Sequence, residues 1–258
     1  MKATDLCFMP ATELVSAIRG KVLYPVEIVE AVLARIENIN PQVNAYCTVV
    51  PEIAREAAKK AAAAQRFTEL GCTVEQAEPD FGRVREVIHV TRALRMIFLH
   101  VDKLERWRGQ MNPNLVRNIE QGFPLTAQQV GEAEKERTAI YHRVRQFFEE
   151  YDLLLIPTVA VPPFAVELPY PKEIDGQSMT SYTDWFLLTY AITITGLPAI
   201  SIPCGWTSAG LPVGLQIVGR RLAEATVLKA AAAFEALSPW HGKRPPIGGN
   251  DLPAGSVS

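Results

Sequence analysis

Apolar residues recur along this chain in two rhythms, and each rhythm predicts its own kind of element. Leu14, Val15 and Ile18 stripe a short helix over Glu13 to Gly20, opened by Thr12 and closed by its glycine. Val26, Val29, Val32, Leu33 and Ile36 stripe a second, which Pro25 opens and which ends near Asn38, before Pro41. Glu52 to Leu70 reads EIAREAAKKAAAAQRFTEL, a strong helix former throughout, ended by Gly71. Arg83 to Trp107 keeps the helical period, with Val84, Val87, Ile88, Thr91, Leu94, Ile97, Phe98, Val101 and Leu104 as its buried stripe. Pro113 and Pro124 bracket a shorter helix, Asn114 to Gln121. Thr126 starts a long one through Glu150, with Glu132, Glu134, Lys135, Glu136 and Arg137 toward solvent. Trp185 to Tyr190 and Glu224 to Leu237 complete the helices, the last ending near Pro239.

The second rhythm is shorter and richer in β-branched residues. Gly196 to Gly219 reads GLPAISIPCGWTSAGLPVGLQIVG, two apolar runs bounded by glycine and proline. Such runs read as strands buried on both faces, Ala199 to Ile202 and Val213 to Val218. Cys204 to Pro212, with Gly205, Ser208 and Gly210, suits a tight connection, so the pair is expected antiparallel in the middle of a sheet. Tyr151 to Ile156 predicts a buried strand ended by Pro157-Thr158, while Val43 to Val49 and Cys72 to Val74 predict two more. Pro157 to Tyr182 is rich in proline, glycine and serine and lacks periodicity, as a long functional or mobile loop does. Residues 242–258 read as a frayed tail.

Composition narrows the function. With 48% apolar and 21% charged residues the chain is an ordinary globular one, and a net charge of −2 gives no electrostatic case for nucleic acid or an anionic membrane. No window reaches the ~18 uninterrupted apolar residues of a membrane span. Cys7, Cys47, Cys72 and Cys204 form no CxxC pair and read as reduced, buried thiols of a cytoplasmic protein. The N-terminus has no basic-then-apolar signal pattern, because Asp5 interrupts its short apolar run. Internal repeats and a linker that would divide the chain are both absent, so one domain over 1–258 is expected.

GLPAISIPCG followed by GLPVGLQIVG resembles the C-terminal signature of the amidase-signature family, serine amidohydrolases that cleave carbon–nitrogen amide bonds. The N-terminal pieces, down to IENINPQVNAYCTV, resemble an amidase N-terminus. From about Ala64, AQRFTELGCTVEQAEPDF resembles a helix and strand well beyond the family's catalytic centre. The resemblance therefore implies an internal deletion near 61–64, nearly as long as the chain itself, and predicts one unbroken helix across Ala61 to Ala64. It also implies an α/β fold, a mixed sheet covered by helices on both faces.

In this family a neutral lysine relays a proton between a serine held in a cis peptide and a nucleophilic serine. A glycine-rich loop supplies the oxyanion hole. The expected signals are a lysine before a lysine–aspartate pair and a cluster such as GSSGGS, and this sequence contains neither. Lys59 and Lys60 sit among alanines as a solvated helix face. No catalytic residue is carried over.

Other chemistries leave no trace either. Cys204 has no histidine in a motif beside it, and His89, His100, His142 and His241 are scattered. The sequence holds no GxSxG elbow, HExxH, Walker loop or GxGxxG, so neither a metal nor a cofactor is expected. Arg83, Arg85, Arg92, Arg95, Arg106 and Arg108, diluted by Glu86, Asp102 and Glu105, read as a solvated face rather than a phosphate site.

Two positions fall where the family places substrate-side residues: Thr158, in the Pro157-Thr158 turn, and Trp185, which equally suits a packing role. Thr193 stands where the family usually has asparagine. Two readings follow. One is an amidohydrolase acting on a small-molecule amide, whose catalytic segment is missing here or supplied by a complementing chain. The other is a non-catalytic remnant serving as a subunit or oligomerising module, its bare apolar face covered by a partner or a second copy.

Overall fold

The two glycine-bounded runs become the heart of a sheet. In the computed structural model, residues 3–43, 62–165, 167–207 and 210–240 are described. Strand β1 (Leu153–Pro157), β4 (Ala199–Trp206) and β5 (Pro212–Gly219) form a sheet of order β1-β5-β4. Ile156 lies opposite Gln216, and Ile202 opposite Leu215. Every described pairing is antiparallel. The central strand is β5, buried from Leu215 through Gly219, whereas β4 is an edge strand with one described neighbour and a burial that only begins at Ile202. The expectation that both strands lie mid-sheet thus holds for β5 alone, because β4 has a described strand on one side only.

The period of two along β5 feeds two separate cores. Leu215 and Ile217 point into one, with Ile202, Ala63, Phe67, Val227, Ala231 and Phe234. The helix over 62–69 (α4) and α9 (Glu224–Leu237) cover that face, their rings meeting at Phe67 and Phe234 with centroids 5.5 Å apart. Val218 points into the other core, with Leu154, Val87, Ile140, Val144, Phe148 and Ile192. That face is covered by α5 (Val84–Trp107), α7 (Ala127–Glu150) and α8 (Leu187–Thr193). Helices on both faces of a sheet are the predicted layering, and the molecule is α/β.

Local chemistry explains the helix ends. The Thr126 hydroxyl accepts the Gln129 N–H at 3.2 Å while the Gln129 side chain accepts the Thr126 N–H at 2.9 Å, a complete capping box. Asn112 caps α6 (Pro113–Glu120) by accepting the Asn114 N–H at 2.8 Å. At the N-terminus α1 (Ala3–Leu6), α2 (Ala11–Arg19) and α3 (Pro25–Val43) gather Leu6, Leu23 and Ala31 into a small core. Here α2 is flanked by Pro10 rather than opened at Thr12. Helix α3 continues past Pro41, where the missing N–H falls in the last turn and removes a single bond. These helices meet α4 through Tyr24, whose hydroxyl donates to Glu69 at 3.3 Å and whose ring lies under Arg66.

Several expectations are corrected. Residues 72–74 form no strand; Cys72 to Val74 are exposed, and no described strand lies beside them to pair with. Cys72 is accordingly an exposed thiol, and Cys7 and Cys204 are half-buried rather than buried. On α5 the stripe is narrower than its apolar residues suggest. Phe98 is 84% exposed and Val101 41%, because α6 packs on the side bearing Met96 and Leu104. Within 157–182 a two-residue hairpin appears, β2 (Glu173–Ile174) with β3 (Gln177–Ser178), its turn residues Asp175 and Gly176 both at positive φ. Glu136 is half-buried rather than solvated. The predicted strand beyond Val43, Cys47, Lys59, Lys60, Ala61 at the seam and the tail over 242–258 lie outside the described residues.

Candidate functional site

Thr158 directly follows β1, and the sheet holds it in place. Its N–H donates to the Gly214 carbonyl at 3.0 Å, and its hydroxyl lies 2.6 Å from that of Ser201. Glycine is required at 214: a Cβ there would fall 2.7 Å from the Thr158 hydroxyl and 3.1 Å from that of Ser201. Thr158, Ser201 and Gly214 thus form a floor across all three strands. The chain then doubles back, and the Ala160 N–H donates to the Trp185 carbonyl at 3.4 Å. Trp185 occupies a 3₁₀ turn, Asp184–Phe186, half-buried and edge-on to Phe164 at 5.3 Å and Phe186 at 4.9 Å. The two sequence-derived positions are therefore brought to one loop, with Trp185 forming a wall beside the Thr158 floor.

That turn is organised by a carboxylate that no motif in the sequence marks. The side chain of Asp184 is wholly buried. Its Oδ2 accepts the Thr180 N–H at 3.1 Å, the Thr180 hydroxyl at 3.2 Å and the Ser181 N–H at 3.0 Å. Its Oδ1 has no aligned hydrogen bond but lies 3.3 Å from Arg85 Nη1 and 3.7 Å from His89 Nε2. A buried charge needs such pairing to be tolerated. One helical turn further along α5, the Arg92 guanidinium donates to the hydroxyls of Tyr182 and Tyr190, and it lies 5.3 Å from each ring centroid. Arg85, His89 and Arg92 stand four and three residues apart, so one helix face presents all three to the turn. The arginines of α5 are not a uniformly solvated face: Arg83, Arg95, Arg106 and Arg108 are exposed, but Arg85 and Arg92 turn inward.

Beside His89 a groove of about 310 Å³ runs between α5 and α7, lined by Arg83, Glu86, Glu132 and Glu136. The Arg143 guanidinium, 2.8 Å from Glu136, donates to its carboxylate and holds its pKa below the usual carboxylate range; the Arg83 N–H helps at 3.3 Å. Among the described residues no histidine, cysteine and carboxylate group is arranged to hold a metal. The two hydroxyls on the floor have each other as partners, and the five described lysines (Lys21, Lys103, Lys135, Lys172 and Lys229) are all exposed. The arrangement sets a polar floor beside an aromatic ring, and among the described residues no buried lysine stands beside Ser201.

Residues 101–228 match the family model described as Amidase. The chain is 34% identical over 182 residues to an acylamidase of Rhodococcus erythropolis, covering 69% of this chain and 38% of that protein. It is 40% identical over 117 residues to a glutamyl-tRNA(Gln) amidotransferase subunit of Oceanobacillus iheyensis, covering 45% of this chain and 23% of that protein. Among solved structures, a bacterial aryl acylamidase of the amidase-signature enzymes superposes with a TM-score of 0.63 at 29% identity, over 74% of this chain and 43% of that one. The 6-aminohexanoate cyclic dimer hydrolase gives the same TM-score of 0.63 at 22% identity over 76% of this chain and 43% of that one, a likeness of fold. The chain spans about two fifths or less of the length of these relatives. No described helix is long and apolar enough to cross a membrane. Sheet, covering helices and paired Gly-Leu-Pro stretch agree with the matches, and the chain carries, in part, a domain of the amidase-signature family.

Proposed function

We propose that this amidase-like chain is a cytoplasmic single-domain scaffold that presents the substrate side of an amidase pocket and does not hydrolyse amides by itself. The observation that carries the reading is the exposure of every described lysine, since the family's proton relay needs one desolvated and neutral beside a serine. The lack of any clustered serines in a glycine-rich run, and the two sequence segments that adjoin near 61–64, support it further. Thr158 and Trp185 form the pocket edge, against which a small-molecule amide would rest once a complementing chain supplied the reacting groups.

The alternative, a remnant serving within a larger assembly, draws support from relatives that are themselves subunits of an amidotransferase. One experiment addresses the main reading. The purified chain is given an acylanilide and, separately, a fluorophosphonate that labels activated serines. Turnover at the uncatalysed rate with no labelling is expected; turnover that the fluorophosphonate abolishes would overturn the proposal. Size-exclusion chromatography distinguishes the two readings of the partner, because a monomer counts against a covered face.

A further inference from the structure

Arg92 is a half-buried cation with no carboxylate partner among the described residues. Its terminal nitrogens donate to two phenol hydroxyls, and its Nε is buried with no acceptor among the described residues. The nearby carboxylate is already committed. Asp184 takes three hydrogen bonds on one oxygen and faces Arg85 with the other. Cations removed from water are ordinarily matched by an anion, and this one is matched only by phenol oxygens and ring faces. Around it stand rings in sequence: Tyr182 and Phe186 at 5.9 Å, Phe186 and Tyr190 at 5.1 Å, and Trp185 and Phe186 at 4.9 Å. All four are half-buried, so the wall they form keeps a face toward solvent.

We propose that Arg92 and this aromatic wall bind a small aromatic carboxylate. The guanidinium turns its planar fork from the phenols to the two carboxylate oxygens, the arrangement that suits its geometry best. The aromatic ring of the ligand lies against Trp185 and Phe186. A single negative charge answers the single unmatched cation, whereas a phosphate dianion would add a second charge near the Asp184 carboxylate, which Arg85 of the same helix pairs. The proposal extends the pocket edge described above, but it stands on the unmatched cation and holds whether or not the chain hydrolyses amides.

Calorimetric titration of the full chain with benzoate, its neutral isostere benzamide and inorganic phosphate tests it. Benzoate is expected to bind saturably and at least ~10-fold tighter than either of the other two. Arg92→Gln is expected to weaken benzoate by ~10-fold or more, and Arg92→Lys, which keeps the charge and loses the fork, by less. Tyr190→Phe removes one competing acceptor and is expected to leave binding equal or tighter. If Arg92→Gln does not fold, Arg92→Lys and Tyr190→Phe decide, judged by unchanged circular dichroism. Equal binding of benzoate and benzamide, phosphate binding as tightly as benzoate, undiminished binding by Arg92→Gln, or weakening by Tyr190→Phe would each overturn the assignment and leave Arg92 as a brace between two tyrosines.

Discussion

The sheet with its two cores and the segment from Thr158 to Tyr190 meet at the end of β1, yet different forces hold them. The sheet is secured by apolar groups such as Ile217 and Phe234, fully buried and indifferent to direction. The segment is held by one buried carboxylate, inward-facing cations and phenols, where direction is everything. Apolar burial scales with area and keeps the chain folded; hydrogen-bonded charges add less net stability but fix where Trp185 stands. The frame and the site edge therefore answer to different substitutions.

Ile217→Ala should separate the two most sharply. It is 0% exposed, and truncation is expected to cost about 3 kcal/mol, seen as a lower urea midpoint for the whole chain. A loss below about 1 kcal/mol would mean that the sheet is not the main stabiliser. Asp184→Ala comes next, at about 2 kcal/mol, and its effect should be local. Limited proteolysis is expected to cut within 158–183 at urea concentrations where the sheet still resists, whereas simultaneous loss of both would merge the two regions. Thr126→Ala removes the capping box of α7 and should cost about 1 kcal/mol without moving the segment, as read by chemical denaturation.

The smallest effect concerns acid. Glu136, bonded by Arg143, is held below the ordinary carboxylate range, so its contribution is complete above about pH 4.5 and is lost as pH falls through its lower folded value. Arg143→Met should flatten that acid limb by no more than about 1 kcal/mol. An unchanged limb would show that the pair is neutral to folding.

The same division explains how much was legible beforehand. Helices and strands that fill the two cores announce themselves, because burial on a face imposes a period on the residues. The start of α7 follows from its capping box, and the pairing of β4 with β5 from glycines that act locally. Phe98 shows the limit: it keeps the helical period on α5, but only the position of α6 determines which apolar residues are covered. The hairpin at Asp175-Gly176 carries a recognisable two-residue turn, hidden by strands of only two residues each. Around the proposed pocket edge, Thr158 and Trp185 were suggested by family resemblance. Asp184, Arg85 and Arg92 were not, although the spacing of the two arginines on α5 was a usable signal. A charged residue in a helix reads as solvated unless the opposing surface is known.

The outer side of β4 has a consequence for handling the protein. No described strand flanks it, and Pro203 together with the register shift between Pro203 and Gly205 interrupts the regular ladder. A foreign strand laid alongside would find an unbroken run only over Ala199 to Ile202, about 13 Å of backbone. That is a weak template, so the irregularity in this strand works against edge-to-edge pairing with another chain.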